Sequence, residues 1–327
     1  MSRRNMVAET LRFRSPAGLT LDLPEPFASD FLWITLDPSP DRRYGNGVDE
    51  WGAVWENIGI GWMGEVKHPP LQSWADWDRM TIPDVRAPHR WRFLDGLRER
   101  AGERFILGQS VSIYERIHFL RGVENTWIDI YENRVELERL IDLLAEMDLY
   151  IIERYAQAGV DSFFMSDDWG LQDRLMIPPE LWREIWKPRY AMLFKAAHDA
   201  GMFTFLHSCG YIVDIMDDLI EIGLDAAHLD QQENMGVELL GRRFGGRMTF
   251  FCPVDIQKTM CLGTPDEIRA QCRRLVRTLG RPSGGFIGRN YADPVGAGHS
   301  PEKTQAMCEE FTAIDQSIRD GTWKWSE

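Results

Sequence analysis

His207 and Cys209 stand two residues apart in the run His207-Ser208-Cys209-Gly210, a spacing that turns an imidazole and a thiol to the same side of an extended segment. Such a pair is the beginning of a zinc site. One histidine and two thiolates with a fourth position open is the pattern of catalytic rather than structural zinc, and it leaves the metal formally neutral. Cys252, in Cys252-Pro253-Val254-Asp255, is the candidate third ligand; His228, Asp230, Asp167 or Glu115 could take its place or orient the ligands through hydrogen bonds. The plainer reading is a buried cysteine beside a histidine hydrogen-bonded within a core. Asp167 and Asp168 form a second focus. Adjacent carboxylates on an extended segment point to opposite sides, so one can face a pocket as an acid/base group or hold a histidine, while the other caps a helix or loop.

These residues need elements to bring them together. Short β-rich runs alternate with helical periodicity, which predicts strands at 31–37, 58–66, 104–110, 162–167, 203–208, 226–230, 248–253 and 286–290. Eight parallel strands joined by crossovers make an α/β chain of the (β/α)8, or TIM-barrel, class, in which catalytic groups sit at the carboxyl ends of the strands. Ser166-Asp167-Asp168, His207-Ser208-Cys209, His228-Leu229-Asp230 and Cys252-Pro253 all fall there. The segment 133–158 predicts the clearest helix, with Asn133 as cap, Glu136 completing a capping box, and Gly159 as the stop. Lys187-Pro188 should break the helical segment that leads to Ala200-Gly201, and Gly284-Gly285 should serve a turn. Residues 1–327 carry no linker or repeat and read as one domain. The irregular N-terminal segment is rich in tryptophan (Trp33, Trp51, Trp55, Trp62, Trp74, Trp77, Trp91), expected to plug the barrel floor and line loops, or else to wall a substrate pocket.

Composition narrows the function classes. The 327 residues carry a formal net charge of −14, which argues against nucleic acid as a partner, since that requires a positive stripe. No apolar run is long enough to cross a membrane, and the start, Met-Ser-Arg-Arg-Asn-Met, lacks the apolar stretch of a signal peptide, so the expected location is cytoplasmic. Five cysteines without a framework spacing point to free thiols or metal ligands, with Cys261, Cys272 and Cys308 away from strand ends and read as structural. An exposed part of the tryptophan-rich segment could form a homodimer contact.

From Trp51 onward the chain resembles the uroporphyrinogen decarboxylase superfamily, which includes corrinoid-dependent methyltransferases. The resemblance is carried by Asp49-Glu50-Trp51-Gly52, Gly122-Val123-Glu124-Asn125, Asp167-Asp168-Trp169-Gly170, Pro178-Pro179-Glu180-Leu181-Trp182, Lys187-Pro188-Arg189, His207-Ser208-Cys209-Gly210, Ile222-Gly223-Leu224-Asp225, Val254-Asp255-Ile256-Gln257, Gly263-Thr264-Pro265 and Gly284-Gly285-Phe286-Ile287, in order. The Arg-Gln-Ala-Gly-Arg stretch of the true decarboxylases is missing; Asp37-Pro38-Ser39-Pro40-Asp41-Arg42-Arg43 stands after the first predicted strand instead. The His-x-Cys segment is similar to the zinc motif of the methylcobalamin:coenzyme M methyltransferases, which implies His207 and Cys209 as ligands. The third ligand of those enzymes is a cysteine near the final strand, where this chain has Gly288-Arg289-Asn290-Tyr291, so Cys252 is the substitute. No Asp-x-His-x-x-Gly corrinoid signature occurs, and a corrinoid would arrive on a partner protein.

The resemblance and the strand-end residues together lead to the expectation of a zinc-dependent methyltransferase moving a methyl group between a corrinoid protein and a small thiol, methoxy compound or other acceptor or donor. Asp168, Asp167, His228 and Glu115 are its candidate catalytic groups, and His207, Cys209 and Cys252 its metal ligands. One alternative is a metal-independent decarboxylase of an aromatic or pyrrolic acid, with Asp168 and Arg42 or Arg43 handling the developing charge. The other is a non-catalytic, ligand-binding barrel.

Overall fold

The computed structural model describes residues 1–36, 46–57, 59, 61 and 64–326. Arg42, Arg43 and Trp62 lie outside the described residues. Eight parallel strands form one sheet: β1 (Thr20–Asp22), β2 (Phe31–Ile34), β3 (Phe105–Gln109), β4 (Ser162–Ser166), β5 (Phe203–His207), β6 (Ala226–His228), β7 (Thr249–Cys252) and β8 (Phe286–Arg289). Each pairs with its sequence neighbour from β2 round to β8, and β8 pairs with β1, so the sheet curls into a nearly closed TIM barrel. The remaining seam, between β1 and β2, is stitched by side chains. Asp30 accepts the Leu21 N–H through Oδ2 at 2.8 Å and returns its own N–H to the Leu21 carbonyl, while Asp22 accepts from Trp33 Nε1 and Ser29 Oγ.

Alternation along the strands divides the side chains into two cores. Phe31, Phe105, Leu107, Phe164, Phe205, Phe251 and Ile287 point inward and fill the barrel with interlocking rings, Phe31 lying 5.4 Å from Phe251 and 5.7 Å from Phe105. The barrel is therefore a packed core with its open end above the rings. Leu206, Phe250 and Cys252 belong to the outer core beneath the helices. The helix Arg134–Gln157 packs Leu137, Leu140, Ile141, Leu144, Ile151 and Ile152 in that layer, each contributing roughly 1.5–3 kcal/mol by burial.

The structure departs from the expected elements at four places. The first barrel strand is Thr20–Asp22, three residues held by the β8 ladder and Asp30 and too short to carry a pattern of its own. The described end of the segment 58–66 does not join the barrel: it enters Gly64–His68, the edge of a separate antiparallel sheet with Val54–Asn57 and Gly47–Val48. The floor is plugged by the helix Arg3–Leu11, whose Val7 and Leu11 join the inner ring of phenylalanines, and not by any tryptophan among the described residues. Trp74 and Trp91 cover outer helices instead, Trp74 against Arg121 and Trp91 against Tyr150 and Tyr155. Asn133 does precede the long helix, but its side chain donates to Asp129 Oδ1 and makes no capping bond, so the Glu136 box is not formed. The break at Lys187-Pro188 is present between Pro179–Ile185 and Lys187–Asp199.

Candidate functional site

Above the phenylalanine layer, the inward positions of the strands turn polar: Asp22, Gln109, Ser166, His207, His228 and Arg289. They surround a cavity of about 430 Å³, walled on one side by Trp33 and Phe164. A neighbouring lobe of about 230 Å³ shares Ser166, His207, His228 and Arg289, and adds Asp168, Cys209, Asp230 and Glu115. Trp55 lines this second lobe, so two members of the tryptophan-rich segment do serve as pocket wall.

The loops after β4 and β5 are fastened backbone to backbone. Gly170 N–H donates to the Cys209 carbonyl at 3.2 Å and Tyr211 N–H to the Leu171 carbonyl at 2.7 Å. Gly210 has φ +74°, and a Cβ there would collide with the Gly170 carbonyl; a Cβ on Gly170 would collide with the Tyr211 nitrogen. Glycine is required at both positions for the approach and, at Gly210, for the left-handed conformation. Ser208 Oγ accepts the Trp169 N–H, and Asp168 Oδ1 accepts the Cys209 N–H at 2.8 Å. The stretches Asp167-Asp168-Trp169-Gly170 and His207-Ser208-Cys209-Gly210 are thus the two halves of one packed unit.

That unit assembles three donors. His207 Nε2 lies 3.4 Å from Cys209 Sγ and 3.4 Å from Asp168 Oδ1. All three donor atoms fall within 4.8 Å of one another. Tetrahedral zinc with ordinary bond lengths separates nitrogen from sulfur by about 3.5 Å and nitrogen from a carboxylate oxygen by about 3.3 Å, so this donor set fits the ion with little rearrangement. One imidazole, one thiolate and one carboxylate would make such a centre neutral. Burial, with Asp168, Asp230 and Glu115 nearby, pushes the Cys209 thiol well above its ordinary range, so in the protein alone it holds its proton; a bound cation is what reverses that preference.

Cys252 does not join them. It is one position out of phase with the inward Phe251 and lies fully buried in the outer core, where burial holds its thiol protonated. The two aspartates divide as their alternation requires. Asp168 is half-buried at the pocket, whereas Asp167 is fully buried and turned away, accepting the backbone N–H groups of Glu115 (2.9 Å) and Ile113 (3.2 Å) and the hydroxyl of Tyr190. Burial raises the Asp167 carboxyl to about 7. It ties the loop after β3 to the loop after β4 and offers the pocket no free oxygen. Glu115 reaches the smaller lobe.

His228 sits at the centre of a second group. Its Nε2 lies 3.1 Å from Asp230 Oδ1, and Arg289 Nη1 lies against that same Nε2 and 3.1 Å from Nδ1. Burial and the Arg289 cation push the His228 imidazolium down to about 3, so the ring is neutral. Burial opposes ionisation of Asp230, but His228, Arg289 and His207 hold its carboxyl below the usual range. His207, His228 and Asp230 also come within 4.8 Å of one another, but the guanidinium beside them disfavours a second cation there.

Arg289 is the residue that sequence reasoning missed. It was visible as the charged end of the apolar run Gly285-Phe286-Ile287-Gly288, in phase with inward Ile287, at the position where a cysteine was sought.

A family model described as uroporphyrinogen decarboxylase (URO-D) matches residues 59–313. No curated protein matches the chain. Among solved structures, it is similar to a methyltransferase from Methanosarcina mazei with a TM-score of 0.59 and 18% identity, covering 81% of this chain and 76% of that one. It is also similar to an IOLI protein with a binding zinc atom (TM-score 0.42, 11% identity, 71% and 83% covered). A third likeness is to 3-keto-D-glucoside 4-epimerase, YcjR, from E. coli (TM-score 0.42, 13% identity, 69% and 85% covered). The first likeness is one of fold.

Proposed function

The chain belongs to the uroporphyrinogen decarboxylase (URO-D) family, matched over residues 59–313, and on that premise we propose that it is a zinc-dependent methyltransferase. It would move a methyl group between a corrinoid carried by a partner protein and a small thiol or methoxy compound. The observation that carries this reading is the triplet His207 Nε2, Cys209 Sγ and Asp168 Oδ1 at the pocket, with separations suited to tetrahedral zinc. The fold shared with a methyltransferase supports it. His207, Cys209 and Asp168 would hold the ion, Asp168 taking the part first given to Cys252. Zinc bound there would supply Lewis acidity, keeping a thiol ionised at neutral pH or easing the departure of an alkoxide.

The chain's own residues do the rest. Trp33 and Phe164 provide an apolar wall on one side of the larger lobe. Asp230 and Arg289 both approach Nε2 of His228 and hold the ring in place at the cavity wall. Asp168, through the Cys209 N–H, keeps the loop after β5 at a fixed distance from the loop after β4. The test is methyl transfer from free methylcobalamin to a panel of small thiols, followed by the change in cobalamin absorbance. Zinc-loaded protein should be active and the His207→Ala and Cys209→Ala variants inactive; transfer that survives both substitutions would overturn the reading.

A second reading, metal-independent decarboxylation, is favoured by one observation: a buried arginine, Arg289, at the place where a cysteine ligand was expected. Asp168 would then act on the substrate directly while Arg289 held its carboxylate. Release of carbon dioxide by protein stripped of metal would establish it.

A further inference from the structure

Arg289 is 5% exposed, and among the described residues no carboxylate lies within ion-pair distance of it. Its Nε donates to the Asn290 carbonyl at 2.9 Å, and Nη1 is engaged with the His228 ring. The guanidinium carbon stands 5.1 Å from the centre of the Phe251 ring and 5.8 Å from that of Trp33. A buried cation is costly unless paired. Of the acids on the neighbouring strand ends, Asp230 is occupied by His228 and Asp22 accepts from Ser29 Oγ and Trp33 Nε1. The arginine lines both lobes of the cavity and is the one arginine or lysine among the described residues that does so.

We propose that the larger lobe binds a small aromatic carboxylate, its carboxylate on the Arg289 guanidinium and its ring between Trp33, Phe164 and the His228 edge. Arginine presents parallel N–H donors to a carboxylate, and the free side of this one opens on the cavity. Trp33 and Phe164, in edge contact with centroids 5.0 Å apart, offer an apolar angle for a flat ring. The volume, about 430 Å³, is near the lower end of the range for small-molecule sites, about 300–1,000 Å³, and suits one substituted ring. A single cation cannot satisfy a ligand bearing many carboxylates. Ser110, Ser112 and Ser166, on the same wall, can hydrogen-bond to ring substituents. The inference rests on the barrel mouth being the substrate site, as read above, and names the class of molecule it takes.

The experiment is calorimetric titration with 4-methoxybenzoate and with its neutral counterpart 4-methoxybenzamide, on the unmodified protein and on Arg289→Met and Arg289→Lys. The carboxylate should bind at least tenfold more tightly than the amide, and Arg289→Met should abolish that preference. Arg289→Lys, which keeps the charge but loses the paired donors, should retain part of it and guards against a merely unfolded variant. The same titration on Cys209→Ala separates this inference from the metal reading. That variant should lose metal yet still prefer the carboxylate. Equal affinity for acid and amide, or an unchanged preference in Arg289→Met, would overturn the proposal, as would no binding of either at millimolar concentration.

Discussion

Replacing Gly210 by alanine should force apart the two loops that hold the donor atoms. The residue has φ +74°, and its added methyl group would enter the space of the Gly170 carbonyl, a backbone group that cannot turn aside as a side chain can. An L-residue in that conformation costs roughly 1–2 kcal/mol. Overpacking of a tight contact adds about 1–3 kcal/mol, and the stiffer unfolded chain returns about 0.4–1 kcal/mol. The net expectation is a loss of about 2–4 kcal/mol, read as a lower urea midpoint at unchanged slope. Gly170→Ala attacks the same contact from the other side, against the Tyr211 nitrogen. The double variant should therefore depart from additivity by about 0.5–3 kcal/mol, because the second methyl group enters a contact already opened. Zinc bound per chain should fall in parallel, since Cys209 and Asp168 lie on opposite loops. A Gly210→Ala protein with the midpoint and metal content of the parent would refute the backbone-to-backbone packing and the site built on it.

Two further changes probe the scaffold. Asp30, buried at the β1–β2 seam, has its carboxyl raised by burial from 3.8 to about 6. The folded protein therefore binds the proton more strongly than the unfolded chain, so the contribution is present below about pH 4 and is lost as pH rises to about 6. Asp30→Asn keeps an acceptor for the Leu21 N–H, and its stability relative to the parent should rise by on the order of 2–3 kcal/mol between pH 4 and pH 7 in urea unfolding; a constant difference would contradict this. Tyr190→Phe removes the hydroxyl that donates to Asp167 and accepts from Trp169 Nε1, and should cost about 1–3 kcal/mol in the same assay, with no loss counting against the clamp.

Strands β4 to β8 were legible in the sequence because each is a short, mostly apolar run, in most of them rich in phenylalanine, buried on both faces. So was the long helix, from its repeated leucines and isoleucines. β1 was not, because Thr20-Leu21-Asp22 has no periodicity and gains its place from the β8 ladder and from Asp30. His207 and Cys209 could be picked out as candidate ligands by type and by position at a strand end, and Asp168 as a candidate catalytic group. Cys252 was misjudged through a matter of phase: the terminal residue of a strand faces in or out according to its neighbour, and inward Phe251 sends Cys252 outward. Which of two adjacent aspartates faces the pocket depends on Tyr190 and the N–H groups of Ile113 and Glu115, contacts distant in sequence. Arg289 escaped notice because a lone arginine in sequence carries no sign of being buried without an acid beside it.

The central claim is the donor set, and its most direct test is the metal content of purified protein by mass spectrometry. The measurement compares the parent with His207→Ala, Cys209→Ala, Asp168→Ala and Cys252→Ala. Zinc should be stoichiometric in the parent and in Cys252→Ala, and lost from the other three. Zinc that survives Asp168→Ala but is lost with Cys252→Ala, or a parent protein that takes up no zinc at all, would contradict it.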